Sequence, residues 1–361
     1  MRRLVFSLSL MSLALSGILA MGAPVYGEPI AKQLFGKMKS PAPLSARAIG
    51  SYARGCLSGG SMLPTSGPGW EAMKLWRNRN WGHPQLVKYL ERFATETQTI
   101  DGWPGILIGD LAQPRGGPML TGHKSHQIGL DADIWYRPKP AEPLSKKERA
   151  DSWSIKLADT YGRKVITENW KPVYVKLLKR AASYPETARI FVHPAVKRAL
   201  CEGAGSDRAW LRKIRPWWSH NYHFHVRLKC PSGYSGCADQ PAPPVGDGCG
   251  KQITYWMKKL EAGEKWSKTK PKKPKKPKKP KKELRMADLP KSCRTVLNAG
   301  PGAVSAAASG NAAPLPARRP AVAAAAQSST ARASTAKANK DASLPRLKGL
   351  TAAPLPTRKP Q

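Results

Sequence analysis

Acidic residues are scarce in this 361-residue chain, where 23 Asp and Glu stand against 61 Lys and Arg, a formal net charge of +38. Such an excess raises the question of a nucleic-acid partner. The basic runs, however, lack the interleaved aromatic residues on which bases stack, and that class is set aside. None of the six cysteines forms a Cys-x-x-Cys pair, which excludes the common structural zinc site. No stretch beyond residue 21 is apolar enough to span a bilayer. Of the 34 prolines 13 fall in residues 268–361, and composition excludes both collagen and a coiled coil.

The charge that is present is unevenly placed. Residues 268–282 hold ten Lys and no acid, while 299–361 hold nine Lys and Arg against Asp341 alone, so about half of the excess lies in these two segments. Residues 271–282 are four copies of Pro-Lys-Lys, which cannot bury a core and repel one another into an extended spacer. The stretch 283–298 carries Cys293 and reads as a short ordered return, and 299–361, rich in Ala, Pro, Ser and Arg, reads as disordered. At the other end, Arg2 and Arg3 precede an uncharged run from Leu4 to Met21 and small residues at Ala23, Val25 and Gly27, the pattern of a secretory signal peptide over 1–27. The expected compartment is the periplasm, with no stable membrane span, and there the six cysteines read as three disulfides. Sequence permits 15 pairings, of which Cys230–Cys237 is the easiest to close.

Residues 28–267 form the candidate globular region. Leu86, Val87, Leu90 and Phe93 after His83-Pro84 predict an amphipathic helix to about Thr97, with His83 structural. Ile106–Leu111 and Ile190–Val192 read as strands, about 170–183 and 194–201 as helices. Leu130, Ala132 and Ile134 alternate with Asp131, Asp133 and Trp135, and His223, His225 and Arg227 with Phe224, Val226 and Leu228; period two is strand geometry. With no repeated βαβ unit, the expectation is an α+β fold: a small antiparallel sheet flanked by helices and stapled by disulfides.

Five of the seven histidines fall in two short segments. His126-x-x-Gly129-x-x-x-Asp133 lets a glycine turn the backbone so that a loop histidine and a strand carboxylate converge, and Asp131 shares the face of Asp133 although only one need be a ligand. His223 and His225 stand on one face, suited to one ligand and one reacting group. Imidazoles and a carboxylate with a fourth position open to water define a catalytic zinc site, and the metal lowers the pKa of that water toward about 7.

Long motifs make the reading sharper: Arg77-Asn78-Arg79-Asn80-Trp81-Gly82-His83-Pro84, Leu107-Ile108-Gly109-Asp110, Gly122–Ile134, Trp210–Trp217 and His223–Pro231. Over about residues 45–260 the chain resembles the penicillin-insensitive murein endopeptidases, relatives of the D-alanyl-D-alanine metallopeptidases and hedgehog domains. The resemblance implies zinc ligation by His126, Asp133 and His225, a catalytic His223 with His220 beside it, and the pairs Cys56–Cys293, Cys201–Cys249 and Cys230–Cys237. It also implies an accessory metal position at His123, but Tyr161 and Lys164 stand where its Asp and His partners belong, which leaves His123 a supporting or substrate role. The implied activity is zinc-dependent D,D-endopeptidase cleavage of D-alanyl–meso-diaminopimelyl cross-links in peptidoglycan. The alternatives are a D-Ala-D-Ala carboxypeptidase or dipeptidase, and a non-catalytic peptidoglycan-binding protein. The basic spacer and tail are expected to touch anionic surfaces of the cell envelope.

Overall fold

The computed structural model describes residues 28–269 and 282–301. The segments expected to be a signal peptide (1–27), most of the Lys-Pro spacer and the tail beyond Pro301 lie outside these residues. Among the described residues the strands are β1 (Arg47–Ser51), β2 (Arg54–Ser58), β3 (Ser61–Met62), β4 (Ser66–Gly67), β5 (Trp70–Ala72), β6 (Trp81–Gly82), β7 (Ile106–Ile108), β8 (Asp131–Pro138), β9 (Thr187–Val192), β10 (Ile214–Pro216) and β11 (His223–Leu228). The helices are α1 (Ala31–Phe35), α2 (Pro84–Thr99), α3 (Lys146–Asp151), α4 (Val173–Ser183), α5 (Pro194–Gly203), α6 (Lys251–Thr269) and α7 (Ser292–Asn298).

One sheet organises the molecule, in the order β10-β9-β11-β8-β7-β5-β4. The α+β class is as expected, but the sheet is neither small nor purely antiparallel. It has seven strands, and the β9–β10 and β5–β7 pairs are parallel. Each parallel pair needs a crossover, and α5 and α2 supply them. Periodicity marks a strand without naming its neighbour, which is why the sequence underestimated this sheet.

Both crossover helices begin on His-Pro. The Nδ1 of His83 accepts from the Gln85 N–H and that of His193 from the Ala195 N–H, each at 3.2 Å, so the imidazole caps a helix whose first residue is proline. The apolar face of α2, with Leu86, Leu90 and Phe93 fully buried, packs into the core with Ile106, Ile134, Phe224 and Val226. The helix α6 runs to Thr269 and carries ordered structure past the boundary placed at 267.

The return segment docks on a second, smaller cluster of Phe35, Cys56, Met286, Cys293 and Val296. Disulfides join Cys56–Cys293, Cys201–Cys249 and Cys230–Cys237, the pairs the resemblance implies. Arg115 closes the end of α7: its guanidinium donates to the carbonyls of Val296, Leu297, Ala299 and Gly300 at 2.6–2.9 Å and to Ser40 at 3.2 Å. A cation over the exposed carbonyls of a helix C-terminus is favourable. The folded part therefore extends through Gly300, just past the boundary at 298.

Candidate metal centre

The antiparallel register of β8 and β11 builds the site. His225 lies opposite Asp133, Arg227 opposite Asp131 and His223 opposite Trp135, so three polar residues of one strand face two carboxylates and an indole of the other. The intervening Ala132, Ile134, Phe224 and Val226 are fully buried in the core. Alternation thus gives one apolar face and one polar face that is also buried, since Asp131 is 0% and Asp133 4% exposed.

Four histidines surround the Asp133 carboxylate. Its Oδ1 lies 3.4 Å from His126 Nε2, 3.2 Å from His225 Nδ1 and 3.5 Å from His223 Nε2, and its Oδ2 lies 3.4 Å from His123 Nε2. These are contacts between potential ligand atoms, longer than good hydrogen bonds. Among the described residues neither ring nitrogen of His126, nor Asp133 Oδ1, nor His223 Nδ1 has a hydrogen-bond partner, although all are buried. Burial works to raise the Asp133 carboxyl, but His223, His126 and His123 outweigh it and hold it well below the usual carboxylate range.

The backbone is bent to make this cluster. His126 adopts φ 65°, and Ser219 and His220 adopt 61° and 55°, a left-handed region that residues with a Cβ rarely occupy. The His126 turn is held by its own N–H, which donates to Asp131 Oδ2 at 2.9 Å. Gly129, φ 73°, has the Leu57 side chain and the His83 backbone within 3 Å of where a Cβ would stand, so only glycine fits there.

Around the cluster lies a layer of fixed partners. Asp131 Oδ1 is 2.8 Å from His225 Nε2 and accepts from Arg227 Nε at 2.7 Å, while Oδ2 accepts from Arg227 Nη2 at 3.2 Å. Asp110 Oδ2 lies 3.0 Å from His123 Nε2 and accepts from Arg79 at 2.8 Å and Arg77 at 3.1 Å. Burial would raise the Asp110 carboxyl, yet His123 and the two arginines bring it down to about 2. His220 is half-buried, its Nδ1 2.8 Å from the Trp218 carbonyl and its ring centroid 5.0 Å from that of His223. Tyr222, partly exposed, sets its ring 4.6 Å from His223.

Every site residue expected from the sequence is found at or beside Asp133. Among the described residues, however, the group of three whose potential ligand atoms all lie within 4.8 Å of one another is His123, His126 and Asp133, which takes in His123 where the expected set had His225. Tyr161 and Lys164 are not part of it; the Tyr161 ring packs on Gly263 of α6. Sequence reasoning assigned no role to Asp110, Arg77, Arg79, Arg227 or Tyr222. Arg227 could have been found, since it continues the period-two face of His223 and His225, but Asp110 reaches His123 only through tertiary contact.

Comparison with known proteins identifies the family. The sequence profile of the family described as penicillin-insensitive murein endopeptidase matches residues 48–298. A protein of that name from Haemophilus influenzae is 44% identical over 240 residues, covering 65% of this chain and 82% of its own length. Those from Shigella sonnei and Citrobacter koseri are each 38% identical over 287 residues, covering 80% of this chain and 97% of theirs. With a profile match across most of the chain and relatives covered nearly end to end, this chain belongs to the penicillin-insensitive murein endopeptidase family.

Proposed function

We propose that the protein is a zinc-dependent endopeptidase that hydrolyses peptide cross-links of peptidoglycan, the D-alanyl–meso-diaminopimelyl bond by resemblance, in the periplasm after removal of residues 1–27. The observation that carries this reading is the set of buried, unpartnered ligand atoms around Asp133. Ligands bound tetrahedrally at about 2.0–2.2 Å are separated by about 3.3–3.6 Å, and Asp133 Oδ1 lies 3.4 Å from His126 Nε2 and 3.2 Å from His225 Nδ1. The donor chemistry, imidazole and carboxylate, suits Zn2+.

His126, Asp133 and His225 are assigned to hold the metal. His126 is fully buried with both ring nitrogens free. His225 presents Nδ1 to Asp133 while Asp131 takes Nε2, the outer partner that fixes the tautomer of a ligating histidine. The Nε2 of His123 is engaged with Asp110, which suits a supporting role at the rim. When bound, zinc supplies a Lewis acid and a water acidic enough to attack at neutral pH. His223, with Nε2 toward Asp133, moves the proton that the leaving amine must receive. His220 orients His223 or the substrate across their ring contact. A water nucleophile needs no acyl-enzyme, which accounts for indifference to β-lactams that acylate serine.

The test pairs zinc analysis with muropeptide chromatography on the mature protein. His225→Ala is expected to lose metal and activity together, His223→Ala to lose activity and keep most of the metal. Cross-linked dimers should be cleaved and uncross-linked pentapeptides spared; the reverse preference would favour a carboxypeptidase. Equal metal loss in both variants would make both histidines ligands, and metal kept in His225→Ala but lost in His223→Ala would exchange their roles.

A further inference from the structure

Aromatic rings continue outward from the metal centre. Phe191 of β9 lies opposite His225 in the sheet, with ring centroids 5.4 Å apart. Trp217 follows at 6.1 Å from Phe191, Trp256 of α6 at 6.0 Å from Trp217, and Trp218 at 5.3 Å from Trp256. Trp256 is buried and braces the others, whereas Trp217 is 53% and Trp218 39% exposed. Neither exposed indole N–H has a hydrogen-bond partner among the described residues. Two solvent-facing indoles held rigid from below call for an occupant, since large exposed apolar surface is uncommon without one.

We propose that this ridge binds the saccharide part of the murein substrate, a reading that rests on the function proposed above. The occupant is argued from three features. A pyranose offers an apolar C–H face to an indole plane and hydroxyl and acetamido groups to the free N–H, and it matches a ridge that is apolar but rich in unused donors. The ridge is continuous with the catalytic cluster, so whatever lies on it is part of a molecule that also enters the site. The length fits Trp217: a peptide stem of about four residues spans at most about 13–14 Å, and Trp217 is two ring contacts, of 5.4 and 6.1 Å, from His225. A cross-link held at Asp133 would thus carry its sugar onto Trp217, with Trp218 the next exposed indole of the same ridge.

Two measurements on the full-chain, zinc-loaded protein decide the matter. Titration with a β-1,4-linked N-acetylglucosamine tetramer bearing no peptide should give a saturable change in tryptophan fluorescence, weakened about tenfold in Trp217→Ala or Trp218→Ala and retained in Trp153→Ala, an exposed tryptophan off the ridge. The ratio of kcat/KM for cross-linked dimers with and without their sugars should fall about tenfold in the ridge variants and hold in Trp153→Ala. No saturable change in the wild type up to millimolar tetramer, or a ratio equal in wild type and ridge variants, would overturn the proposal. Cleavage without a tetramer response defeats the ridge and leaves the endopeptidase standing. A tetramer response lost in the ridge variants, with no cleavage of either dimer, upholds the ridge and defeats the endopeptidase.

Discussion

Asp131 and Asp133 sit two residues apart on the same face of one strand, both buried, yet their surroundings are opposites. At the Asp131 level every oxygen is engaged: Arg227 grips both, His225 meets one and the His126 N–H the other. Arg227 is in turn stacked on Tyr52, 4.1 Å from its ring centroid, and bonded to Gln240. At the Asp133 level four imidazoles approach and Oδ1 has no hydrogen bond. One register step thus separates a closed ion pair from an open ligand set. A buried charge must be paired or hold a metal; Asp131 is paired, and the function proposed above gives Asp133 the metal.

Substitution of the two carboxylates should break the symmetry between them. The largest effect is expected from Asp133→Ala: loss of bound zinc and a fall in cross-link hydrolysis of more than about a thousandfold, with less loss of stability for the metal-free protein than at Asp131, because Asp133 meets imidazoles at 3.2–3.5 Å and no guanidinium. Metal analysis, muropeptide chromatography and denaturant unfolding measure the three quantities. Retention of zinc in that variant would show that the wrong carboxylate has been chosen.

Asp131→Ala should act the other way. It strands Arg227 in the interior and is expected to destabilise by about 3–5 kcal/mol, while zinc affinity drops roughly 10–100-fold through the loosened His225 ring. Adding Arg227→Met should restore much of the stability and none of the zinc affinity. If stability and affinity recover together, Asp131 is no more than half of an ion pair.

A third buried charge sharpens the contrast, because it has no carboxylate in hand. Lys197 is fully buried and donates to the carbonyls of Leu211 and Asp247 at 2.8 and 2.5 Å. Burial first, then Arg215 and Arg208, push its ammonium down to about 7 against the opposing pull of Asp247. Its folded pKa is below the unfolded one, so between about pH 7 and 10 the unfolded chain binds more protons and stability rises with pH. Unfolding free energy should climb by up to about 3 kcal/mol over that window, and the climb should be missing from Lys197→Met. An identical slope in both proteins would refute the assignment.

Least is expected of the basic runs that belong to neither level. Removal of residues 302–361, a cut that spares the carbonyls held by Arg115, should weaken sedimentation with purified sacculi at low salt. The difference should vanish above about 0.5 M salt, where the Debye length falls below about 5 Å. Unchanged binding at low salt would dismiss the envelope contact.

What could be read from the sequence was what is local. Alternation at 130–135 and 223–228 specified strands and, with them, which residues share a face, because a strand's side chains repeat every two residues whatever it pairs with. The His-Pro helix start, the six-cysteine pattern read through the family resemblance, and the composition break after Trp266 were equally legible. The register was not: that His225 faces Asp133 and Arg227 faces Asp131 follows from how β8 and β11 align, and a slip of one residue would exchange core for site. Nor could the sequence find Asp110 beside His123 or Trp256 beneath Trp217 and Trp218, contacts made across distant stretches of chain. The sequence by itself determined which residues could bind a metal and on which face of which strand they stand. Only the tertiary structure decided which of two identical carboxylates closes on an arginine and which stays open to ligands, since pairing in a buried site depends on what the neighbouring strand brings opposite.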